Sequence, residues 1–134
     1  MRAVGRFGPP VALMGVIFFL SAQPDLNSGL GAWDTVLRKL AHTAEFGLLW
    51  FLWLRALGYR RPAAVVAGAI AAGYAATDEL HQLFVTGRVA SPVDWAIDCA
   101  GIGLAWLAWA RFRPPRGRGG ADRRSGSTAT NSPR

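Results

Sequence analysis

Three short stretches of this 134-residue chain carry side chains whose types and spacing could do chemistry. "RKLAHTAEF" holds Lys39, His42 and Glu45, "TDELHQLFVTGR" holds Asp78, Glu79, His81, Gln82 and Arg88, and "DWAIDCAG" holds Asp94 and Asp98. Lys39 and Arg88 could attract a phosphate or carboxylate. Asp78, Glu79 and Asp94 could orient those cations or receive a ligand amine, and His42 and Gln82 could hydrogen-bond. At about 100° per residue, Lys39, His42 and Glu45 step round a helix by about 60° each, with Glu45 about 9 Å from Lys39 along the axis. Asp78, His81 and Gln82 share one face with Tyr74 a turn away, and Glu79 is turned about 100° from Asp78 toward another neighbour. Asp94 and Asp98 stack at i and i+4, and Gly101 and Ala105 continue their face.

The elements that must position these groups are apolar. Hydrophobic residues make up 51% of the chain, and they are gathered into blocks. A membrane-spanning helix needs roughly 20 mostly apolar residues, and four segments approach that length: 8–22, 36–58, 62–86 and 91–112. Period-two alternation is absent, which argues against a β-barrel. The expected fold is therefore all-α, an integral membrane bundle of four transmembrane helices occupying 1–112. The third segment is rich in alanine and glycine on every side. Close helix approach needs such residues, so it is expected to be the central helix. Trp95, Trp106 and Trp109 are expected to face lipid or the membrane interface. The first segment could instead be a secretory signal peptide, but Leu20 is a poor residue for the −3 position of a cleavage site. The single cysteine, Cys99, excludes an intramolecular disulfide and reads as a small apolar filler.

Charge sets the orientation. Of the net +7, +6 lies between Arg111 and Arg134. The segment 113–134, rich in Arg, Gly, Ser and Pro, is expected to be a disordered basic tail. Directly after a transmembrane helix, such a tail suits anionic lipid better than nucleic acid, which is not expected as a partner. Basic residues collect on the cytoplasmic side. Arg2 and Arg6, then Arg55, Arg60 and Arg61, then Arg111 onward all vote for one side, so both termini are expected to be cytoplasmic. Arg38, Lys39 and Arg88 lie at the other end, against the rule, beside acids that could pair with them. The ionisable residues within the segments then fall in the extracytoplasmic half.

Each of these residues taken singly reads best as helix-to-helix glue or charge neutralisation. A charge within a membrane costs roughly 2.5–3.5 kcal/mol even on a lenient scale, so the whole set exceeds what packing needs. With these residues in view, the sequence resembles the VanZ-like membrane proteins. The resemblance rests on "FLSAQP", "KLAHTAEFGLL", "TDELHQLFVTGR" and "SPVDWAIDCAG", and it covers about residues 12–108. The matching positions are Lys39, His42, Asp78, Glu79, Gln82, Arg88 and Asp94; Glu45 joins them from its depth alone. The family often has Asn at the position of Asp98 and Tyr at that of Phe46, so the resemblance assigns Asp98 no role. The family's name comes from a protein linked to low-level resistance to glycopeptides such as teicoplanin. It implies a cell-envelope membrane protein with a polar site and does not imply a reaction.

The expected function is a non-enzymatic envelope protein. Its outer polar cleft, with Lys39, His42, Glu45, Asp78, Glu79, Gln82, Arg88 and Asp94 as ligand-binding residues, receives a lipid head group or cell-wall precursor. Membrane lipids and such a ligand are the expected partners, with no metal or other cofactor. An intramembrane metal-dependent hydrolase is the alternative, with His42 and Glu45 or Asp78 and His81 as i,i+3 ligand pairs and Glu79 as general base. No H-E-x-x-H, nucleophile elbow or phosphate-binding glycine loop supports it. A proton-coupled transporter using Glu45 comes third.

Overall fold

A computed structural model describes residues 2–23, 32–87 and 90–112. Arg88 and the tail 113–134 lie outside the described residues, as does 24–31. Four helices follow one another: α1 (Arg2–Ser21), α2 (Ala32–Leu57), α3 (Arg61–Gln82) and α4 (Pro92–Phe112). Among the described residues there is no strand. The helix bounds differ from the sequence expectation chiefly at three places, the first being α2, which begins at Ala32 and not at 36. α1 begins at Arg2 and not at 8, and it runs through Pro9 and Pro10. The prolines remove two N–H donors, so the Gly5 and Arg6 carbonyls lose their i+4 partners while the helix continues. α3 stops at Gln82 and not at 86, because Phe84 and Val85 tighten onto the His81 and Gln82 carbonyls at 3.0 and 3.1 Å.

The α2–α3 turn shows why those helices run antiparallel. Gly58, with φ +99°, ends α2, and its N–H meets the Arg55 carbonyl at 3.3 Å. Tyr59, with φ +53°, donates to the Leu54 carbonyl at 3.1 Å. This pair of bonds closes a helix through a left-handed residue and reverses the chain. Pro62 then sits in the first turn of α3, where its missing N–H costs nothing. Arg6 of α1 donates from Nε to the Ala56 carbonyl, capping the negative end of α2.

α2 packs most extensively, against all three other helices, and is the centre of the bundle. This corrects the expectation that α3 is central. α3 is small-sided all round, but a central helix also has to fill space. α2 supplies the fully buried Phe46, Leu49, Trp50 and Leu54, against which Ala64, Ala67, Ala71 and Ala75 of α3 close. Trp50 donates to the Ala64 carbonyl at 3.1 Å, stacks on Trp106 and meets Trp109 edge-on. Trp106 and Trp109 thus turn inward, not outward as expected. Trp95 is exposed but tied to α3 through a 3.1 Å bond to the Ala72 carbonyl.

α2 and α4 run parallel and cross closely. Gly47 faces Gly101, and a Cβ on Gly101 would overlap the Thr43 carbonyl. Small residues allow two helix backbones this close.

Two of the four helices, α1 and α4, are long and apolar enough to cross a membrane (Ala3–Ser21 and Pro92–Phe112, mean hydropathy 1.6 and 1.2). Only 11% and 17% of these windows are buried inside the protein, unlike the core helix of a soluble protein. α2 and α3 are interrupted by the ionisable residues that form the site.

Candidate functional site

The parallel crossing of α2 and α4 sets the register of the site. With Gly47 and Gly101 in contact, the earlier turns of both helices fall opposite each other. Lys39 Nζ meets Asp94 Oδ1 at 2.5 Å. One turn deeper, His42 Nδ1 lies 3.7 Å from Asp98 Oδ1, close enough for an ion pair if the ring is protonated but too long for a hydrogen bond. α3 closes the third side. Its Glu79 accepts the Ser91 backbone N–H at 3.0 Å, which fixes the entry of α4. The 100° offset of Glu79 from Asp78 is what turns it toward α4.

Between these three helix ends lies a cleft of about 270 Å³. Lys39, His42, Glu79, Gln82 and Asp94 line it, as the sequence anticipated, together with Thr35, Arg38, Gly87, Ile97 and Asp98. Arg38 sits 3.7 Å from Asp34, one turn back on α2.

Two expected members are not in its walls. Asp78 points to α1: its Oδ2 accepts Ser21 Oγ at 2.7 Å and Gln82 Nε2 at 3.1 Å. It is 2% exposed, and its Oδ1 has no hydrogen-bond partner. The stripe Tyr74–Asp78–His81 thus faces α1 throughout. Tyr74 donates to the Met14 carbonyl at 2.5 Å, and His81 stacks on Phe18 with ring centres 4.2 Å apart. Glu45 is half-buried on α2, deeper than His42 and within electrostatic reach of it and of Asp78 and Asp98. Gln82 connects the two sets, since it lines the cleft and holds Asp78.

The structure adds two residues that the sequence does not assign. The sequence gives Asp98 no role, yet it is 2% exposed at the cleft floor, and its Oδ2 has no hydrogen-bond partner. The i,i+4 stacking under Asp94 was the signal that could have placed it. The other is Ser21, whose only sequence signal is a lone hydroxyl closing the apolar run of the first segment.

The pairs considered for metal ligation do not assemble. His42 turns to Asp98 and His81 to Phe18, and among the described residues no three His, Cys, Asp or Glu side chains group to hold a metal ion. The cleft sets a cation at its rim and carboxylates and an amide on its walls, around a space below drug size.

No match was found among curated proteins or among solved structures. The model of the VanZ/LLP1 family matches residues 9–113, which takes in all three helices of the cleft. The chain belongs to the VanZ/LLP1 family.

Proposed function

We propose that this protein is a multi-pass cell-membrane protein of four spans, with both termini cytoplasmic, whose extracytoplasmic cleft binds the polar head of a membrane lipid or lipid-linked wall precursor. The observation that carries this reading is the cleft itself: Lys39, His42, Glu79, Gln82, Asp94 and Asp98 converge from three helices on one space. Structural charge neutralisation would need only the Lys39–Asp94 pair.

Two further features support the membrane setting. Large apolar side chains are exposed on every helix, among them Val11 and Phe19 on α1, Leu48 on α2, Val65 on α3 and Leu107 on α4. The buried polar set, by contrast, includes Ser21, Asp78, Gln82 and Asp98. Such apolar exposure over a whole surface is rare in water and natural in lipid. The helix directions also gather Arg6, Arg55, Arg60, Arg61 and Arg111 at the end opposite the cleft, which the positive-inside tendency assigns to the cytoplasm. A head-group site facing outward lies on the same side as the targets of glycopeptides, so an effect on glycopeptide susceptibility follows from occupancy of that cleft.

The test has two arms. In a Cys99→Ala background, cysteine at Ser91 should react with an impermeant thiol reagent on intact cells and cysteine at Arg61 should not. Lys39→Gln should keep normal expression yet weaken binding of a short-chain anionic phospholipid and abolish any glycopeptide phenotype. Labelling of Arg61→Cys in place of Ser91→Cys would end the outward-cleft reading, and unchanged lipid binding in Lys39→Gln would end the head-group reading.

A further inference from the structure

The described walls of the cleft carry three carboxylates, Glu79, Asp94 and Asp98, and two cationic side chains, Lys39 and Arg38, with His42 and Gln82 beside them. Lys39 is engaged by Asp94 at 2.5 Å, and Arg38 stands by Asp34. Glu79 and Asp98 remain on the floor. Glu79 holds one backbone N–H, and Asp98 has only the His42 ring, 3.7 Å from its Oδ1. The other Asp98 oxygen is buried without a hydrogen-bond partner in a residue 2% exposed. A buried carboxylate short of donors is costly, and an occupant that brings N–H bonds and positive charge would relieve it.

Three observations narrow that group. Among the described walls no Trp, Tyr or Phe lines the cleft. A quaternary ammonium is held by an aromatic cage and carries no N–H, so it fits this floor poorly. A primary ammonium carries three N–H donors and suits carboxylates. Lys39 stands at the open side, its side chain 43% exposed, and can meet an anion. Finally, Trp33, Leu37, Leu83, Phe84 and Val93, neighbours in sequence of the wall residues, are all exposed, Phe84 by 86%. Acyl chains would cover such a rim.

We propose that the occupant is a zwitterionic lipid whose primary ammonium seats on Asp98 and Glu79 while its phosphate faces Lys39. This rests on the reading of the cleft as a head-group site and names the head group's chemistry.

The experiment uses the purified full chain in micelles. Binding of dihexanoyl phosphatidylethanolamine is compared with its mono-, di- and trimethylated forms, with dihexanoyl phosphatidylglycerol, and with O-phosphoethanolamine, which has no acyl chains. Affinity should fall with each methyl group, reaching about tenfold or more at the trimethylated form, the loss expected for charged hydrogen bonds. Asp98→Asn, which keeps side-chain shape, and Glu79→Gln should each flatten this series. O-Phosphoethanolamine should bind at least about tenfold more weakly than the lipid, since it buries no chain. Equal affinity for the ethanolamine and trimethylated lipids overturns the inference, as does a preference that survives both variants. Equal binding of O-phosphoethanolamine overturns a lipid as the occupant. Phosphatidylglycerol binding that depends on Lys39, without any amine preference, removes this inference alone. Binding of every probe insensitive to Lys39→Gln removes the head-group reading with it.

Discussion

Gly101→Ala should separate α2 from α4 and loosen the cleft from a distance. A Cβ at Gly101 would overlap the Thr43 carbonyl oxygen and stand 2.9 Å from its carbon and 3.0 Å from Thr43 Cγ2. The carbonyl is backbone and cannot rotate away. Ordinary carbon contacts lie at about 3.5–4.0 Å, so the crossing must open by about 1 Å. Overpacking of this kind costs about 1–3 kcal/mol. The helix gains up to about 1 kcal/mol from replacing Gly by Ala, which offsets only part of that. Gly103, two residues on, has nothing within 4 Å of its would-be Cβ. Gly103→Ala should therefore be neutral or slightly stabilising through the same propensity gain. The pair is a controlled comparison of one substitution on one helix. Thermal unfolding in detergent should show Gly101→Ala lower by about 5 °C or more and Gly103→Ala unchanged or raised. Opening by about 1 Å would also stretch the Lys39–Asp94 contact, now 2.5 Å, beyond hydrogen-bond length. Head-group binding should weaken in Gly101→Ala and not in Gly103→Ala. Equal melting temperatures for the two variants would refute the close crossing and the register built on it.

Ser21→Ala should destabilise by about 1–3 kcal/mol, because Asp78 Oδ2 loses a buried donor while its Oδ1 already lacks one; a melt indistinguishable from the parent would count against the α1–α3 polar contact. A double-mutant cycle of Lys39→Met and Asp94→Asn should give a coupling of about 0.5–1 kcal/mol, modest because the pair is partly exposed, and additivity would mean the contact contributes nothing. Trp50→Phe should cost about 1 kcal/mol from the lost bond to the Ala64 carbonyl, beyond its packing loss, and should quench the fluorescence coupling with Trp106 and Trp109.

Much of the site could be read from the sequence because a helix converts spacing into direction. The stacking of Asp94 and Asp98, the continuation through Gly101 and Ala105, and the turn of Glu79 away from Asp78 all follow from 3.6 residues per turn. So did the four helices and the gathering of ionisable residues toward one end of the second, third and fourth. What periodicity leaves open is which neighbour each direction meets. Asp78 and Glu79 were both expected in one cleft, but the bundle turns Asp78 to Ser21 on α1 and Glu79 to Ser91 before α4. Asp98 carried no role until the Gly47–Gly101 crossing brought it under His42. Trp106 and Trp109 had the composition of lipid-facing residues, and only packing against Trp50 turned them inward. α2 took the centre from α3 because filling a bundle depends on volume across the interface, which one helix's sequence does not contain. The angular position of a side chain is a local property of its helix. Its partner is fixed only when the helices choose their order, their direction and the depth at which two glycines let them touch.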